Sequence, residues 1–346
     1  MIEDIDGEIG APALARRMSR RVAMRRAAHV GLIGAGATLA PAVFRDARAD
    51  GLRVVEAVGS YRFAVGALTC LAVSDGALEF PPSFFAANAP RGQVAQDLRR
   101  HFLPTNAVST QITALIVDTG RHLALVDTGL GPRLGGATGG RVQRHLQAAG
   151  IASADIDTVI LTHGHVDHIG GLLDGAGRLA YPNARYYMPK TDWDFWTTVP
   201  NLARLPLPTT VQLLLLSTAR RNLPLIRDRV TLVAPGTEIV PGIRTIAAPG
   251  HTPGHVALVV SSGNDQLLHV CDAPGHYTLG LDHPDWYQAF DVLPAAAVAS
   301  RRRLLDRAAA ERTLTMASHF PWPSIGHIVP TGTAWRFEPI VYQWPS

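Results

Sequence analysis

The chain of 346 residues is longer than an average domain but within reach of a single large α/β unit. Its 47% hydrophobic content can fill a sizeable core, and 17% charged residues with that core excludes a globally disordered chain. The net charge of +4 does not signal a nucleic-acid partner, because eight arginines and five acids fall in residues 1–49 and leave 24 basic against 23 acidic groups in the rest.

The N-terminal stretch accounts for those arginines. "RRMSRRVAMRR" (Arg16–Arg26) leads into the apolar "AAHVGLIGAGATLAPAV" (Ala27–Val43), and "ARA" (Ala47–Ala49) follows as a small-x-small cleavage site. Ser19-Arg20-Arg21 resembles a twin-arginine export signal. The apolar stretch holds His29 and Pro41 and is shorter than the about 20 residues a membrane span needs. Residues 1–49 are therefore expected to be removed, with the mature protein exported to the periplasm or beyond and not inserted in a membrane. Residues 50–346 are expected to form one catalytic domain. Cys70 and Cys271 are the only cysteines; an oxidising compartment permits a bridge between them, and two buried thiols are the alternative.

Short apolar runs begin after Tyr61. "FAVGALTCLAVSDG" (Phe63–Gly76) reads as a strand closed by an Asp75-Gly76 turn. Phe80–Asn106, rich in Pro, Asn and aromatics, reads as a long loop with a short helix. Gln111–Gly120 and His122–Gly129 form two strands around a tight turn, and Arg141–Gly150 has helical spacing with a glycine stop. Ile156–His163 is a buried strand. Further strands are expected near Ile243–Ala248, His255–Ser261, Leu267–Asp272 and Leu314–Ser318, with a helix at Pro294–Ala310. Strands mixed with helices throughout indicate a layered α/β domain. Lys190–Ile226, with Trp193, Phe195 and Trp196, breaks this rhythm and reads as an insert. It is either ordinary core helix or the wall of a pocket.

"LTHGHVDHIGGL" (Leu161–Leu172) sets His163, His165, Asp167 and His168 within six residues at a strand end. Imidazole nitrogens and carboxylate oxygens are ligands for zinc and similar divalent ions. Four such groups exceed what one ion can take from one short loop, so the cluster suggests two metals side by side. Further ligands are available at other strand-to-loop junctions: His251 and His255 in "PGHTPGH", Asp272 in "HVCDAPGH" and His319 in "MASHFPWPSIGH". A pair of divalent ions lowers the pKa of bound water toward about 7 and so can supply a hydroxide nucleophile. No serine, cysteine or lysine nucleophile is then required.

On "VDTG", "THGHVDHIGGL", "PGHTPGH", the Asp272 strand end and "SHFPWPSIGH", the chain resembles the metallo-β-lactamase-fold hydrolases. The final motif, of the form H-F-P-x-P-x-x-G-H, is similar to the methyl parathion hydrolase-like branch. The resemblance covers most of residues 58–342. It implies an α/β four-layer αβ/βα sandwich, with His163, His165 and His251 on the first metal and Asp167, His168 and His319 on the second. Asp272 would bridge the two, while Asp127 and His255 would orient the ligands from behind. Asp167 and Asp272 are the expected catalytic carboxylates. Zinc is the expected metal, with iron, manganese or cobalt as substitutes.

The substrate is less legible. An aspartate bridge argues against β-lactam cleavage. Acyl-homoserine-lactone hydrolases of the fold typically carry a tyrosine three residues after that aspartate, where this chain has Gly275, followed by His276 and Tyr277. Small uncharged or apolar esters, lactones or phosphotriesters fit best. Trp193, Trp196 and Phe320 are expected to contact them, with core packing as the alternative. An iron-dependent oxidoreductase of the same fold is the rival reading, although its flavin-dependent type carries a flavodoxin domain for which this chain has no room. An acyl-homoserine-lactone hydrolase is a second rival. Nucleic acid is not an expected partner, and homodimerisation stays open.

Overall fold

The structure, a computed structural model, describes residues 59–342 apart from Ala137 and Val199; the expected export signal lies outside the described residues. The first sheet begins with β1 (Ser60–Val65) and β2 (Leu68–Phe80). The chain then runs through helix α1 (Arg91–Arg100) into β3 (Val108–Asp118) and β4 (Leu123–Val126). These four strands pair antiparallel in chain order. Helix α2 (Val142–Ala148) precedes β5 (Thr158–Ile160), and the short helix α3 (Val166–Ile169) precedes β6 (Arg185–Pro189). Helices α4 (Lys190–Thr197) and α5 (Thr209–Asn222) lead to β7 (Val230–Val233). From β4 to β7 the pairing is parallel, which completes seven strands in sequence order.

The second sheet is built the same way. It contains β8 (Glu238–Val240), β9 (Ile243–Ala247), β10 (Val256–Ser262) and β11 (Asp265–Cys271). After α6 (Leu279–Asp282) and α7 (Pro294–Glu311) come β12 (Leu314–Ala317), β13 (Ile325–Thr331) and β14 (Ala334–Pro339). Seven strands again follow chain order, with β11 and β12 the parallel pair.

The layering follows from side-chain alternation. In β3, Leu115 and Val117 enter the core between the sheets, where they meet Leu258, Val260 and Leu267. Their neighbours Ala114 and Ile116 face outward against a core that includes Leu98 of α1, Leu146 of α2 and Leu215 of α5. On the far side, Ala257 and Leu268 pack with Leu304, Leu305 and Ala308 of α7. Period-two strands buried on both faces thus give helix, sheet, sheet and helix as four layers.

Two expectations are corrected. Asp75-Gly76 is not a turn: β2 runs through it with a bulge, Gly76 holding φ at +117°. The Asp75 carboxylate instead accepts the backbone N–H groups of Leu130, Gly140, Arg141 and Val142 at 2.7–3.0 Å. A polar pair that reads as a turn on propensity is held in the sheet by these bonds. The Lys190–Ile226 segment is the crossover between the parallel strands β6 and β7, with its apolar face in the core. Gly170 caps the C-terminal end of α3.

Candidate metal centre

Each group at the site stands just beyond a strand. His163 and His165 follow β5, with Asp167 and His168 in α3; His251 follows β9, Asp272 follows β11 and His319 follows β12. Two strand ends are bent to aim into the site: Asp127 and Cys271 adopt φ of +58° and +50°, a left-handed conformation that costs a non-glycine residue about 1–2 kcal/mol. Gly164 is small for a packing reason. A Cβ there would lie 2.2 Å from the Trp196 ring.

The seven predicted residues meet as two overlapping groups. His163, His165, His251 and Asp272 form one, and Asp167, His168, Asp272 and His319 the other, with the potential ligand atoms of each group within 4.8 Å of one another. Asp272 belongs to both. Its Oδ2 lies 3.0 Å from His319 Nε2, 3.2 Å from His168 Nε2, 3.4 Å from His251 Nε2 and 3.7 Å from His163 Nε2. Asp167 Oδ2 is 3.4 Å from His319 Nε2 and 3.6 Å from His168 Nε2.

Outer contacts decide which nitrogen faces inward. His168 Nδ1–H donates to Asp127 Oδ2 at 2.8 Å, and Asp127 also accepts the Thr162 N–H and hydroxyl. His319 Nδ1–H donates to the Gln111 carbonyl at 2.7 Å. His251 Nδ1–H donates to Asp291 at 2.9 Å. In each ring the other nitrogen, Nε2, is the one turned to the centre, where a bound cation would take the place of its proton. His255 donates from Nδ1 to the Ala248 carbonyl, and its Nε2 sits 3.4 Å from the Asp272 backbone N. It packs behind His163 and His251 and stands outside both groups.

The electrostatics are those of a cation site. Burial pushes the His163 and His165 imidazoles well below their ordinary range, with His168 and His251 adding to the effect. At His168 burial opposes the charge, but Asp272, Asp127 and Asp167 outweigh it and the value rises. At His251 burial is likewise outweighed, by Asp272 and Asp291, and the value reaches about 9. Burial would raise the Asp272 carboxyl, yet His168 and His319 hold it well below the carboxylate range. His163 Nε2, His168 Nε2 and Asp272 Oδ1 are buried without a hydrogen-bond partner. Such groups are costly unless something completes them. Nitrogen and carboxylate donors with unpaired inward atoms fit divalent cations.

Three residues escaped the sequence reading. Asp291 supports His251, and Arg301, itself fully buried, faces Asp291 Oδ2 at 3.6 Å. Asp192 accepts the Gly164 N–H at 2.8 Å, the Gly254 N–H at 3.1 Å and the Thr252 hydroxyl, so one carboxylate ties the His163–His165 loop to the His251–His255 loop. No local motif marks these acids.

The expected substrate contacts are corrected. Trp193 and Trp196 are 8% and 1% exposed and belong to the core under α4, with Trp196 edge-on to His165 at 5.4 Å. Phe320 is buried against Phe337 at 4.7 Å. All three rings are buried, as the core-packing alternative requires, and none of them lines the cavity beside His319. The opening beside the centre is a cavity of about 240 Å³ that includes His319, lined by Glu79, Leu103, Val108, His276 and Tyr277 among others. A larger open groove near Gly66, Asp265 and Arg312 holds none of the clustered groups. Cys70 and Cys271 are both buried and unpaired.

Residues 109–319 match the Metallo-beta-lactamase superfamily profile. Among solved structures, the chain is similar to AidC, a dizinc quorum-quenching lactonase in complex with a product, N-hexanoyl-L-homoserine. The two are 27% identical with a TM-score of 0.77, over 82% of this chain and 98% of that one. It is also similar to the hydrolase AbOPH of the beta lactamase superfamily, at 26% identity and a TM-score of 0.75, over 82% and 98% of the chains. A probable metal-dependent hydrolase from Staphylococcus aureus shares the fold at 19% identity and a TM-score of 0.67, over 81% of this chain and all of the other. No curated protein matches. The four-layer sandwich, the paired ligand groups at its strand ends and the match across most of the described chain agree: the protein belongs to the metallo-β-lactamase superfamily and is a metal-dependent hydrolase.

Proposed function

We propose that the protein is a dinuclear hydrolase of ester-type bonds, of the methyl parathion hydrolase-like branch, acting on small uncharged esters, lactones or phosphotriesters after export. The observation that carries this reading is Asp272, whose carboxylate is shared by two ligand groups. His163, His165 and His251 would hold one ion, Asp167, His168 and His319 the other, and Asp272 both, with zinc the expected metal. When bound, a pair of divalent ions supplies Lewis acidity toward a carbonyl or phosphoryl oxygen and a hydroxide nucleophile near neutral pH.

The chain's own residues do the rest. Asp272 brings negative charge between the two groups. Asp127, Asp291 and the Gln111 carbonyl hold three imidazoles in one tautomer and one orientation. The adjoining cavity is lined by Leu103, Pro104, Val108 and Tyr277, with Glu79 as its one carboxylate and no lysine or arginine among its lining residues. Such walls suit a neutral, partly apolar substrate and disfavour an anion. Cleavage of a lactone falls within this class, and AidC, described as a lactonase, is 27% identical.

The test is hydrolysis by the zinc-loaded protein of a panel of aryl esters, lactones and phosphotriesters, alongside metal analysis. Turnover of at least one class with close to two ions per chain is expected. Inactivity on all three classes, or full activity with one ion, would overturn the reading.

A further inference from the structure

Glu79 lines the cavity that holds His319, and the strand pairing shows which way its side chain faces. On β2 it stands opposite Ser109 of β3, and Gln111 follows two residues further along β3 on the same face. Glu79, Ser109 and Gln111 all line the cavity. The alternate residues Leu78, Phe80 and Ile112 do not; they pack with Leu130 on the opposite face of the sheet. Period two therefore turns Glu79 toward the cavity. Gln111 is the residue whose carbonyl supports His319. Glu79 lies two positions from it along the ladder, a step of roughly 7 Å.

Glu79 is half-buried, and among the described residues its carboxylate has no hydrogen-bond or ion-pair partner. No lysine, arginine or second acid lines the cavity, and Leu103, Pro104 and Pro321 give it apolar walls. A substrate that fills this space of about 240 Å³ takes solvent from the carboxylate. An acceptor deprived of solvent costs free energy unless a donor takes the place of water. The cavity thus penalises a substituent that cannot donate and accepts one that can.

We propose that Glu79 is a specificity-determining residue, its carboxylate accepting a hydrogen bond from an N–H or O–H group on the substituent that fills the cavity beside His319. Ester-type substrates that carry such a donor are then preferred over those that lack it. The proposal rests on the ester-hydrolase reading above, whose uncharged substrate makes a neutral donor, not a cation, the complement of Glu79. The contact is remote from the reacting bond and is made equally before and during reaction, so it acts on KM more than on kcat. A carboxylate that only faces solvent at the strand end would not distinguish a donor from its methylated form.

The experiment uses pairs of aryl esters that differ only in a hydroxyl against a methoxy group, placed on the acyl or on the leaving part. The zinc-loaded unaltered protein should favour the hydroxyl member of at least one pair in kcat/KM. Glu79→Leu removes the acceptor and should lower that preference by about tenfold, chiefly through KM. Glu79→Gln keeps an amide oxygen that accepts and should retain part of the preference. The matching hydroxy and methoxy ketones have no ester bond, so calorimetry on the same proteins gives the comparison as dissociation constants, free of turnover. Equal hydroxyl-to-methoxy ratios in unaltered and Glu79→Leu proteins that melt alike would overturn the proposal and leave the hydrolase reading standing. An unaltered enzyme inactive on every ester, yet binding the hydroxy ketone more tightly only when Glu79 is present, would strike the hydrolase reading and uphold the contact.

Discussion

Asp291 Oδ1 stands 2.9 Å from His251 Nδ1, with both side chains buried. The acid's other oxygen accepts the Gln288 N–H at 2.9 Å and faces the Arg301 guanidinium. Arg301 in turn donates to the carbonyls of Ala273, Pro284 and Trp286. A buried charge so tied fixes the imidazole it supports, and His251 presents Nε2 to Asp272 as a result. Loss of such a support typically costs about 10–100-fold in metal affinity or activity. Asp291→Ala should lower affinity by that factor at the His163–His165–His251 group and spare the other. Asp291→Asn, which keeps an acceptor, should lose less. Metal titration against a competing chelator checks both; equal affinities in all three proteins would leave Asp291 a folding residue only.

How much of this was legible in the sequence depends on distance along the chain. His163, His165, Asp167 and His168 announce themselves because four side chains of metal-binding type fall within six residues. The alternation of β3 and β4 was readable because strands buried on both faces are short, continuous apolar runs. Asp291 and Asp192 were not readable. Their partners are 40 and 28 residues away, and an isolated acid in a loop looks like any solvated one. For Trp193 and Trp196 a shared helical face was legible, but the layer it meets is decided by the β6–β7 crossover, which the local pattern does not contain. Asp75 reads as a turn residue because the N–H groups that hold it come from Leu130 and residues 140–142.

Asp272 and His255 separate a shared ligand from a supporting ring. Asp272→Ala should strip both groups of a donor and reduce zinc content well below two per chain. His255→Ala removes a ring outside both groups and should retain more zinc and more activity. Zinc analysis after exhaustive dialysis gives the comparison. Equal retention in the two variants would remove Asp272 from the bridging position.

Trp196 makes the core assignment testable. Truncating a buried tryptophan costs about 3–5 kcal/mol, and here it also uncovers the back of His165. Trp196→Ala should melt at a clearly lower temperature, with preference among esters of different size unchanged. Leu103→Ala, on the cavity wall, should do the reverse. Altered substrate preference in Trp196→Ala without loss of stability would return the ring to the substrate.

Asp192 gives the fold a pH dependence of unusual sign. Burial raises its carboxyl to about 6, against the hydrogen bonds from Thr252, Gly164 and Gly254 that lower it. The folded state therefore holds the proton more tightly than the unfolded chain, whose aspartates titrate at about 3.9. Stability from this group is complete below that lower value and is lost as pH rises through about 6. Two units correspond to roughly 3 kcal/mol. Asparagine cannot ionise, yet it can accept from Gly164 and donate to Thr252. Asp192→Asn should therefore be the less stable protein, or equal, at pH 4 and should gain on the unaltered chain by roughly 3 kcal/mol between pH 4 and pH 7. Denaturant unfolding of the two metal-free proteins across that range measures the gain directly, since every other titration enters both curves alike. A difference that stays constant with pH would mean that Asp192 is ionised throughout, its charge fully met by the loops it joins.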